Sequence, residues 1–270
     1  MMNSVNFITS RDNPQIKLLR RLAQDNTAYR QQSRVWLEGD HLCRAALARG
    51  RSPALAVFTE VAWAQMGRHW EQVLSALPEA VSILVLPEVL MASLSGLESP
   101  ADMAFVLALP DSASSAQAIR SGQSAVVLDR VQDAGNVGSI LRSASAFGFT
   151  QVLAFKGTAA LWSPKVVRAG MGAHFGLHLV EGLVMEDLAA LNLPVLVTSS
   201  HGGAAVQDRR WPWPCAWAFG HEGQGVSEAL MALAQEKVRI SQPGGEESLN
   251  VAAAAAICLY ASVAQRGQLP

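Results

Sequence analysis

Cysteine is scarce in this chain, whose 270 residues include only Cys43, Cys215 and Cys258. Their number is odd and their positions lie far apart. A disulfide framework or a cysteine-based metal cluster needs more cysteines at closer spacing. The sequence therefore argues against both, and it predicts a protein of a reducing compartment, the cytoplasm, with no metal.

Charged residues and long apolar runs are also limited. Charged residues make up 16% of the chain and the net charge is −1, so no overall positive charge indicates a nucleic-acid partner. Apolar runs are interrupted, at Pro87 within 81–94 and at Gln265 and Arg266 after an alanine-rich segment, so none reaches the ~20 residues of a membrane span. Residues 1–4 show no signal-peptide pattern. We expect no membrane partner.

Half of the residues, by contrast, are hydrophobic, which is enough for one large or two modest domains. The periodicity predicts an α/β fold with a small domain over 1–110, a linker over 111–124 and a second domain over 125–270. The predicted strands are 34–38, 54–59, 82–86, 104–109, 125–129, 151–155, 194–199, 215–219 and 237–240. The predicted helices are 14–24, 40–49, 61–76, 88–94, 137–147, 163–169, 227–234 and 251–260.

A local excess of basic residues occurs near the N-terminus, where Asp12 and Asp25 are the only acidic residues between positions 11 and 34. A positive helix face can bind RNA phosphates. A solvated helix face carries the same pattern, and charge alone does not choose between the two. The candidate RNA-binding residues of this segment are Arg11, Lys17, Arg20 and Arg21.

Three glycine-bearing loops in the second domain each follow a predicted strand. They span 130–136, 220–225 and 241–250, and the last runs into the alanine-rich helix 251–260. The carboxyl ends of parallel strands meet at one edge of a sheet, where ligands bind. A helix with small side chains can also pack very close to other backbone. The three loops therefore predict one composite pocket.

Common nucleotide, hydrolase and metal motifs are missing. Gly135 and Gly138 lack the remainder of G-x-G-x-x-G, and neither a P-loop nor G-x-S-x-G occurs. Glu222 follows a histidine, but the second histidine of H-E-x-x-H is absent. His174 and His178 are one helical turn apart in an apolar setting, which is more typical of an ordinary histidine pair than of a metal site.

The loops and their flanks form three longer motifs: Asp-Arg-Val-Gln-Asp-Ala-Gly-Asn-Val-Gly-Ser-Ile-Leu-Arg at 129–142, Phe-Gly-His-Glu-Gly-Gln-Gly-Val-Ser at 219–227, and Glu-Ser-Leu-Asn-Val-Ala at 247–252, preceded by Ile240. In order and spacing these motifs resemble the signatures of the SpoU (TrmH-like) RNA ribose methyltransferases of the SPOUT superfamily. The resemblance covers about the last half of the chain. It implies methyl transfer from S-adenosylmethionine to a ribose 2′-hydroxyl of ribosomal or transfer RNA.

The same resemblance implies a homodimer and a trefoil knot, in which the C-terminal segment passes through a loop. The alanine run fits this expectation because small side chains can be drawn through a narrow backbone opening. Segments 37–42 and 57–60 are similar to a substrate-binding domain that a subset of the family carries. Residues 1–110 would therefore select the RNA.

By family correspondence, catalysis falls to five polar residues: Arg142, Asn136, Glu222, Ser248 and Asn250. Four positions would hold the cofactor through backbone groups: Thr198, Gly220, Ile240 and Leu249. Arg142 is a poor general base because a guanidinium stays protonated, so steering phosphate or stabilising the developing alkoxide suits it better. Glu222 would fix the second loop or hold Arg142. Without the resemblance, Asn136 and Asn250 read as loop caps and Glu222 as a helix N-terminal carboxylate.

Two further groups of residues keep alternative interpretations. Lys165 and Arg168, on the predicted helix 163–169, could meet RNA phosphate near the pocket or form a plain solvated face. The cluster of Trp211, Trp213 and Trp217 could stack on RNA bases, pack in the core or form a subunit interface.

Two other functions fit the same sequence. One is a non-catalytic RNA-binding or ribosome-assembly factor that keeps the knotted fold without turnover. The other is methylation of a base, which a related knotted fold performs. Retention of all five candidate catalytic residues argues against the non-catalytic factor, while mapping of the methyl group to ribose or base would decide the second alternative.

Overall fold

The computed structural model describes residues 4–65, 70–109, 116–199, 202–244 and 248–266. Part of the predicted linker, 111–115, lies outside the described residues, as does Glu247 of the third motif. The chain divides into two compact units, the first made of residues 1–112 with 162–175 and the second of 113–161 with 176–270. The segment 162–175 thus differs from the predicted domain 125–270. Its Val167 and Phe175 are buried in the apolar core of the first unit.

The first unit is built on a five-stranded sheet in the order β1-β4-β3-β5-β2, with β5 antiparallel to β2 and β3. Its strands are β1 (Val5–Phe7), β2 (Arg34–Glu38), β3 (Leu55–Thr59), β4 (Ser82–Leu86) and β5 (Met103–Ala108). Successive strand residues point to opposite faces. Val35 and Leu37 accordingly enter one apolar cluster and Trp36 enters another, so both faces of the sheet are covered.

The described helices of the whole chain are α1 (Pro14–Gln24), α2 (Ala28–Gln32), α3 (Asp40–Ala48), α4 (Glu60–Ala64), α5 (Glu71–Ala76), α6 (Glu88–Leu94), α7 (Ala134–Ala146), α8 (Pro164–Gly170), α9 (Glu228–Leu233) and α10 (Val251–Ala264). The prediction of a single helix over 61–76 was wrong, because α4 ends at Ala64 and α5 begins at Glu71. Gln65 leaves the helical conformation as the C-cap of α4, and Trp70 is the N-cap of α5. None of the helices in the described part of the chain combines the length and apolarity that a membrane crossing requires.

The second unit is built on a seven-stranded sheet in the order β10-β12-β9-β11-β6-β7-β8, and all of its pairings are parallel. The strands are β6 (Ala125–Asp129), β7 (Gln151–Phe155), β8 (His178–Leu183), β9 (Val195–Thr198), β10 (Ala204–Ala205), β11 (Ala216–Gly220) and β12 (Glu236–Arg239). Every residue of β6, β7 and β11 is buried, as expected for central parallel strands covered on both faces. The predicted α/β class with a parallel sheet is confirmed.

His174 and His178 do not share a helix. His174 is buried in a 3₁₀ turn of the first unit with its ring 5.0 Å from that of Trp162, whereas His178 opens β8 in the second unit. Parallel pairing of His178 with Gln151 of β7 draws the segment into the sheet. Strand β8 was not predicted, because this tertiary pairing is not visible in local periodicity.

Helix α10 packs its small side chains into the second unit. Ala255, Cys258 and Leu259 are buried, and the buried Ser262 Oγ accepts a hydrogen bond from Trp217 Nε1 at 2.8 Å. All three cysteines of the chain are free and buried. Burial raises the pKa of Cys258 to about 12, so this thiol stays protonated and packs as an apolar group.

Candidate functional site

The three glycine-bearing loops lie together at one edge of the second sheet. Strands β6, β11, β9 and β12 are consecutive neighbours and all run in the same direction, so their carboxyl ends meet at this edge. The chain moves outward from β6 through β7 to β8 and then crosses to β9 on the other side. Ligands of open α/β sheets bind at such a reversal of strand order.

Asp133 fixes the start of α7 in the first loop. Its Oδ1 accepts a hydrogen bond from the backbone N–H of Asn136 at 2.7 Å, which caps the helix. Because of this cap the helix begins at Ala134, three residues before the predicted start. Asn136 therefore lies in the first turn of a helix and not in a loop, and the helical backbone fixes the position from which its side chain projects.

Glu222 joins the second loop to the first. Its carboxylate accepts hydrogen bonds from the backbone N–H groups of Gln132 and Asp133, at 3.1 and 3.0 Å, and from Asn136 Nδ2 at 3.1 Å. Burial opposes the charge, but these three hydrogen bonds outweigh burial and lower the pKa of Glu222. Glu222 is thus ionised at neutral pH and fixes the second loop, which was one of the two predicted roles.

Asn250 joins the third loop to the first. Its Nδ2 donates to Asn136 Oδ1 at 2.9 Å, while its Oδ1 accepts from the N–H groups of Ala252 and Ala253 and caps α10. Asn250 is therefore a helix cap, as one of its two interpretations predicted, and it also contacts Asn136. We call the chain of hydrogen bonds Glu222–Asn136–Asn250 the amide bridge, and it links all three loops.

Arg142 and Ser248 lie near these loops without joining the amide bridge. Arg142 is exposed on α7, about 9 Å along the helix axis from Asn136. Within the described ranges its guanidinium makes no hydrogen bond or ion pair, so the alternative that Glu222 holds Arg142 is not realised here. Ser248 is exposed two residues before Asn250.

The four predicted cofactor positions all lie at ends of the neighbouring strands or in the loops after them. Thr198 ends β9 and its Oγ1 lies 3.4 Å from the carbonyl of Ala218, and Gly220 ends β11. A Cβ at Gly220 would lie 2.1 Å from the backbone of Gly225 and Val226, so only glycine allows this close approach. Ile240 is half-buried just after β12, and Leu249 is 39% exposed.

Two polar atoms near these positions point to a polar ligand. Ser227 Oγ and Gln242 Oε1 are buried and make no hydrogen bond in the part of the chain that is described. Buried polar atoms are normally paired. They lie in the loops after β11 and β12, and hydroxyl and amino groups such as those of S-adenosylmethionine would satisfy them. Neither residue was predicted, because burial of a single polar atom has no local sequence signal.

Asp129 is a further residue that the predicted site omitted. Its buried carboxylate ends β6, accepts a hydrogen bond from the N–H of Ser227 at 2.6 Å, and pairs with Arg130 Nε at 3.0 Å. It therefore ties the first loop to the second, as Glu222 does. A charged residue at the end of an otherwise apolar strand was the available sequence signal.

The basic candidates all belong to the first unit. Arg11, Lys17 and Arg21 are exposed at or near α1, and Arg20 is half-buried with Nη2 3.5 Å from Ser93 Oγ. Lys165 on α8 is exposed. Arg168 is half-buried and its Nη1 would lie 3.0 Å from a Cβ at Gly96, so its side chain packs on the backbone there.

The tryptophan cluster is mainly core. Trp217 is fully buried, and the buried Trp211 donates from Nε1 to the carbonyl of Val206 at 2.9 Å. Stacking of these two rings on RNA bases is therefore excluded. Trp213 is half-buried, with its ring against Phe149 and the Arg266 guanidinium 4.2 Å above the ring centroid.

Comparison with known proteins identifies relatives of this chain. The sequence pattern of the SpoU rRNA Methylase family matches residues 123–260, which contain all three loops. The 23S rRNA (guanosine(2553)-2'-O)-methyltransferase RlmP of Bacillus subtilis is 29% identical, over 83% of this chain and 86% of RlmP. The 23S rRNA (uridine(2479)-2'-O)-methyltransferase of Streptomyces viridochromogenes is 32% identical, over 73% of this chain and 72% of that enzyme.

A solved structure extends the similarity over the whole chain. An AdoMet-bound rRNA methyltransferase from Sinorhizobium meliloti has a TM-score of 0.83 at 26% identity, covering 98% of this chain and 99% of that one. The similarity therefore includes both compact units.

Proposed function

The chain belongs to the SpoU rRNA methylase family, and we propose that it transfers a methyl group from S-adenosylmethionine to a ribose 2′-hydroxyl of ribosomal RNA. The observation that carries this proposal is the amide bridge, which joins the three family motifs through Glu222, Asn136 and Asn250. Two relatives are named as 23S rRNA 2′-O-methyltransferases of different nucleotides, a guanosine and a uridine. The shared chemistry is therefore that of the ribose, and the target nucleotide is specific to each enzyme.

S-adenosylmethionine would bind at the carboxyl ends of β9, β11 and β12, where it supplies an electrophilic methyl group. Backbone groups of Thr198, Gly220, Ile240 and Leu249 would hold it, and Ser227 and Gln242 would pair with its polar groups. The close approach of Gly220 to the backbone of residues 225 and 226 would help to shape this pocket.

The amide bridge would position the sugar. Asn136 uses Nδ2 toward the Glu222 carboxylate and Oδ1 toward Asn250 Nδ2, so the orientation of its amide is fixed before substrate binds. Such preorganisation lowers the entropic cost of aligning the hydroxyl with the methyl group. Ser248, exposed beside Asn250, would line the substrate side.

Arg142 would stabilise negative charge. Its guanidinium stays protonated, so it does not take the hydroxyl proton. An unpaired, exposed cation on α7 can instead face the oxygen as the O–H bond breaks, or an adjacent phosphate. The absence of a protein partner for Arg142 among the described residues supports a role toward the substrate.

The second unit would carry the trefoil knot and the dimer contact. The small side chains of α10 suit passage through a loop, and Asn250 at its start contacts Asn136 of α7. Ile257 and Tyr260 are 38% and 49% exposed on α10, which leaves an apolar surface for a second copy. The methyltransferase domain would span 125–270 apart from segment 162–175, and the RNA-binding domain would span 1–110 together with that segment. Residues 111–124 would join them in a cytoplasmic enzyme.

The first experiment maps RNA methylation in a strain that lacks this protein and in the wild-type strain. Ribosomal RNA from a strain lacking it is incubated with the purified protein and S-adenosylmethionine, and the methylated position is mapped by mass spectrometry of nuclease fragments. We expect one 2′-O-methyl ribose that is missing in the deletion strain. A methylated base would replace the proposal with base methylation.

Calorimetric titration with S-adenosylmethionine separates the remaining alternative. A methyltransferase should bind the cofactor with measurable heat. No heat and no methylation would identify a non-catalytic RNA-binding or ribosome-assembly factor.

A further inference from the structure

Arg130 has an unusual backbone conformation at the proposed site. It directly follows β6 and has φ +61°, in the left-handed region that glycine adopts without steric cost and arginine does not. Strain of this kind is retained where the side chain is useful. A larger residue at this position indicates that its side chain does something glycine cannot.

The surrounding loops hold Arg130 in place. Its N–H donates to Thr158 Oγ1 at 3.1 Å, and that hydroxyl donates in turn to the carbonyl of Leu128 at 3.0 Å. The aliphatic part of the side chain crosses Gly157, where an added Cβ would lie 3.2 Å from Arg130 Cγ. The loop after β7 is thus shaped to let the arginine side chain pass.

The guanidinium is fixed on one side and open on the other. Nε donates to the buried Asp129 Oδ1 at 3.0 Å and Nη1 donates to Gln224 Oε1 at 3.3 Å, while the side chain remains 37% exposed. The second N–H of Nη1 and both N–H groups of Nη2 have no partner within the described ranges. A guanidinium held in this way presents a rigid, charged fork, which matches a phosphate.

The open side of this fork belongs to the same two loops as the amide bridge. Arg130 lies two residues before Gln132, and Gln224 lies two residues after Glu222, which accepts the Gln132 N–H. Every internal RNA ribose is flanked by phosphates, so a sugar bound at the amide bridge brings phosphates to these loops. We propose that Arg130 binds a backbone phosphate of the RNA substrate beside the methylated ribose, an inference that rests on the proposed function.

The test compares Arg130→Gly with wild type. Glycine suits the left-handed backbone and Asp129 keeps its hydrogen bond from the Ser227 N–H, so this variant should fold. Its melting temperature should be lower than that of wild type, because the buried Asp129 carboxylate loses its charged partner. With ribosomal RNA from the deletion strain, we expect KM for RNA to rise about tenfold and kcat to stay within about twofold, as for loss of one charge-assisted contact. Binding of a short fluorescein-labelled single-stranded RNA is measured at several salt concentrations. The slope of log Kd against log salt concentration should be smaller by about 0.7 to 1 in the variant.

Two matched variants sharpen the result. Arg120→Ala removes a charge just before β6, at the opposite end of the sheet, and should leave both KM and the salt slope unchanged. Arg130→Lys keeps the charge without the fork and should raise KM about threefold, less than glycine does. The lysine variant also carries the test if the glycine variant does not fold.

Other outcomes overturn the inference. An unchanged KM for RNA and unchanged salt slope in Arg130→Gly would show that no phosphate contact exists. A loss of S-adenosylmethionine affinity equal to the loss of RNA affinity would make Arg130 a loop-positioning residue. If the wild type transfers no methyl group to RNA, the proposed function fails, while the binding of labelled RNA still decides the role of Arg130.

Discussion

Polar residues serve different purposes at the loop edge of the second unit and on α1 of the first unit. At the loop edge, Glu222, Asn136 and Asn250 are hydrogen-bonded to one another across three loops. On α1, the ion pairs of Lys17 and Arg21 join close sequence neighbours, Asp12 at 3.6 Å and Asp25 at 3.9 Å, and the paired side chains are exposed. Exposed pairs of this kind contribute little to stability. At the loop edge the positions of the polar side chains are therefore fixed by hydrogen bonds, whereas α1 mainly presents exposed positive charge.

The largest difference between the two regions is expected in the effect on kcat of removing an arginine from each. Arg142→Ala should lower kcat for RNA methylation by at least about 100-fold, because a charge that stabilises the transition state is lost. Affinity for S-adenosylmethionine should stay within about twofold, as measured by calorimetry. Arg11→Ala is the matched control, because Arg11 is an exposed arginine of the first unit with no partner among the described residues. A variant at Arg142 with the wild-type rate would refute its catalytic assignment.

The amide bridge offers a second test, in which capping and site geometry are separated. Asn250→Ala loses the α10 cap and should lower the free energy of unfolding by about 1 kcal/mol. Asn250→Ser keeps a capping oxygen but loses the donor to Asn136, so stability should return nearly to the wild-type value. We expect kcat of the serine variant to stay roughly 3- to 10-fold low, the effect of one hydrogen bond. Full activity in Asn250→Ser would show that Asn250 is only a cap.

Most regular elements of the fold could be predicted because their apolar patterns are local. Helices α1 and α6 and strands β2, β4, β6 and β7 begin and end at the predicted residues, and the other predicted strands differ by one or two residues. Strands β1, β8 and β10 and the assignment of segment 162–175 to the first unit were missed. All depend on contacts with distant residues: β1 pairs with β4, β8 with β7 and β10 with β12, and the segment buries Val167 and Phe175.

The sequence identified candidate residues for the site but not the hydrogen bonds between them. Asn136, Glu222 and Asn250 were named, but their mutual hydrogen bonds required the sheet order that places three loops side by side. The role of Asn250 as both cap and bridge could not be read from sequence, where the two were alternatives. The positive φ of Arg130 could not be predicted either, because it depends on how the loop after β6 closes against Thr158.

The smallest effects are expected on α1 and the turn before it. Arg11→Gln and Lys17→Gln should each raise the Kd for ribosomal RNA about two- to threefold, weaken its salt dependence by about one unit of slope, and leave kcat unchanged. Because these charges act independently, the double variant should show the sum of the two free-energy changes. Filter binding at several salt concentrations measures both quantities. A single substitution here that lowered kcat as much as Arg142→Ala would show that α1 contributes specific geometry to the reaction, and the contrast between the two regions would then fail.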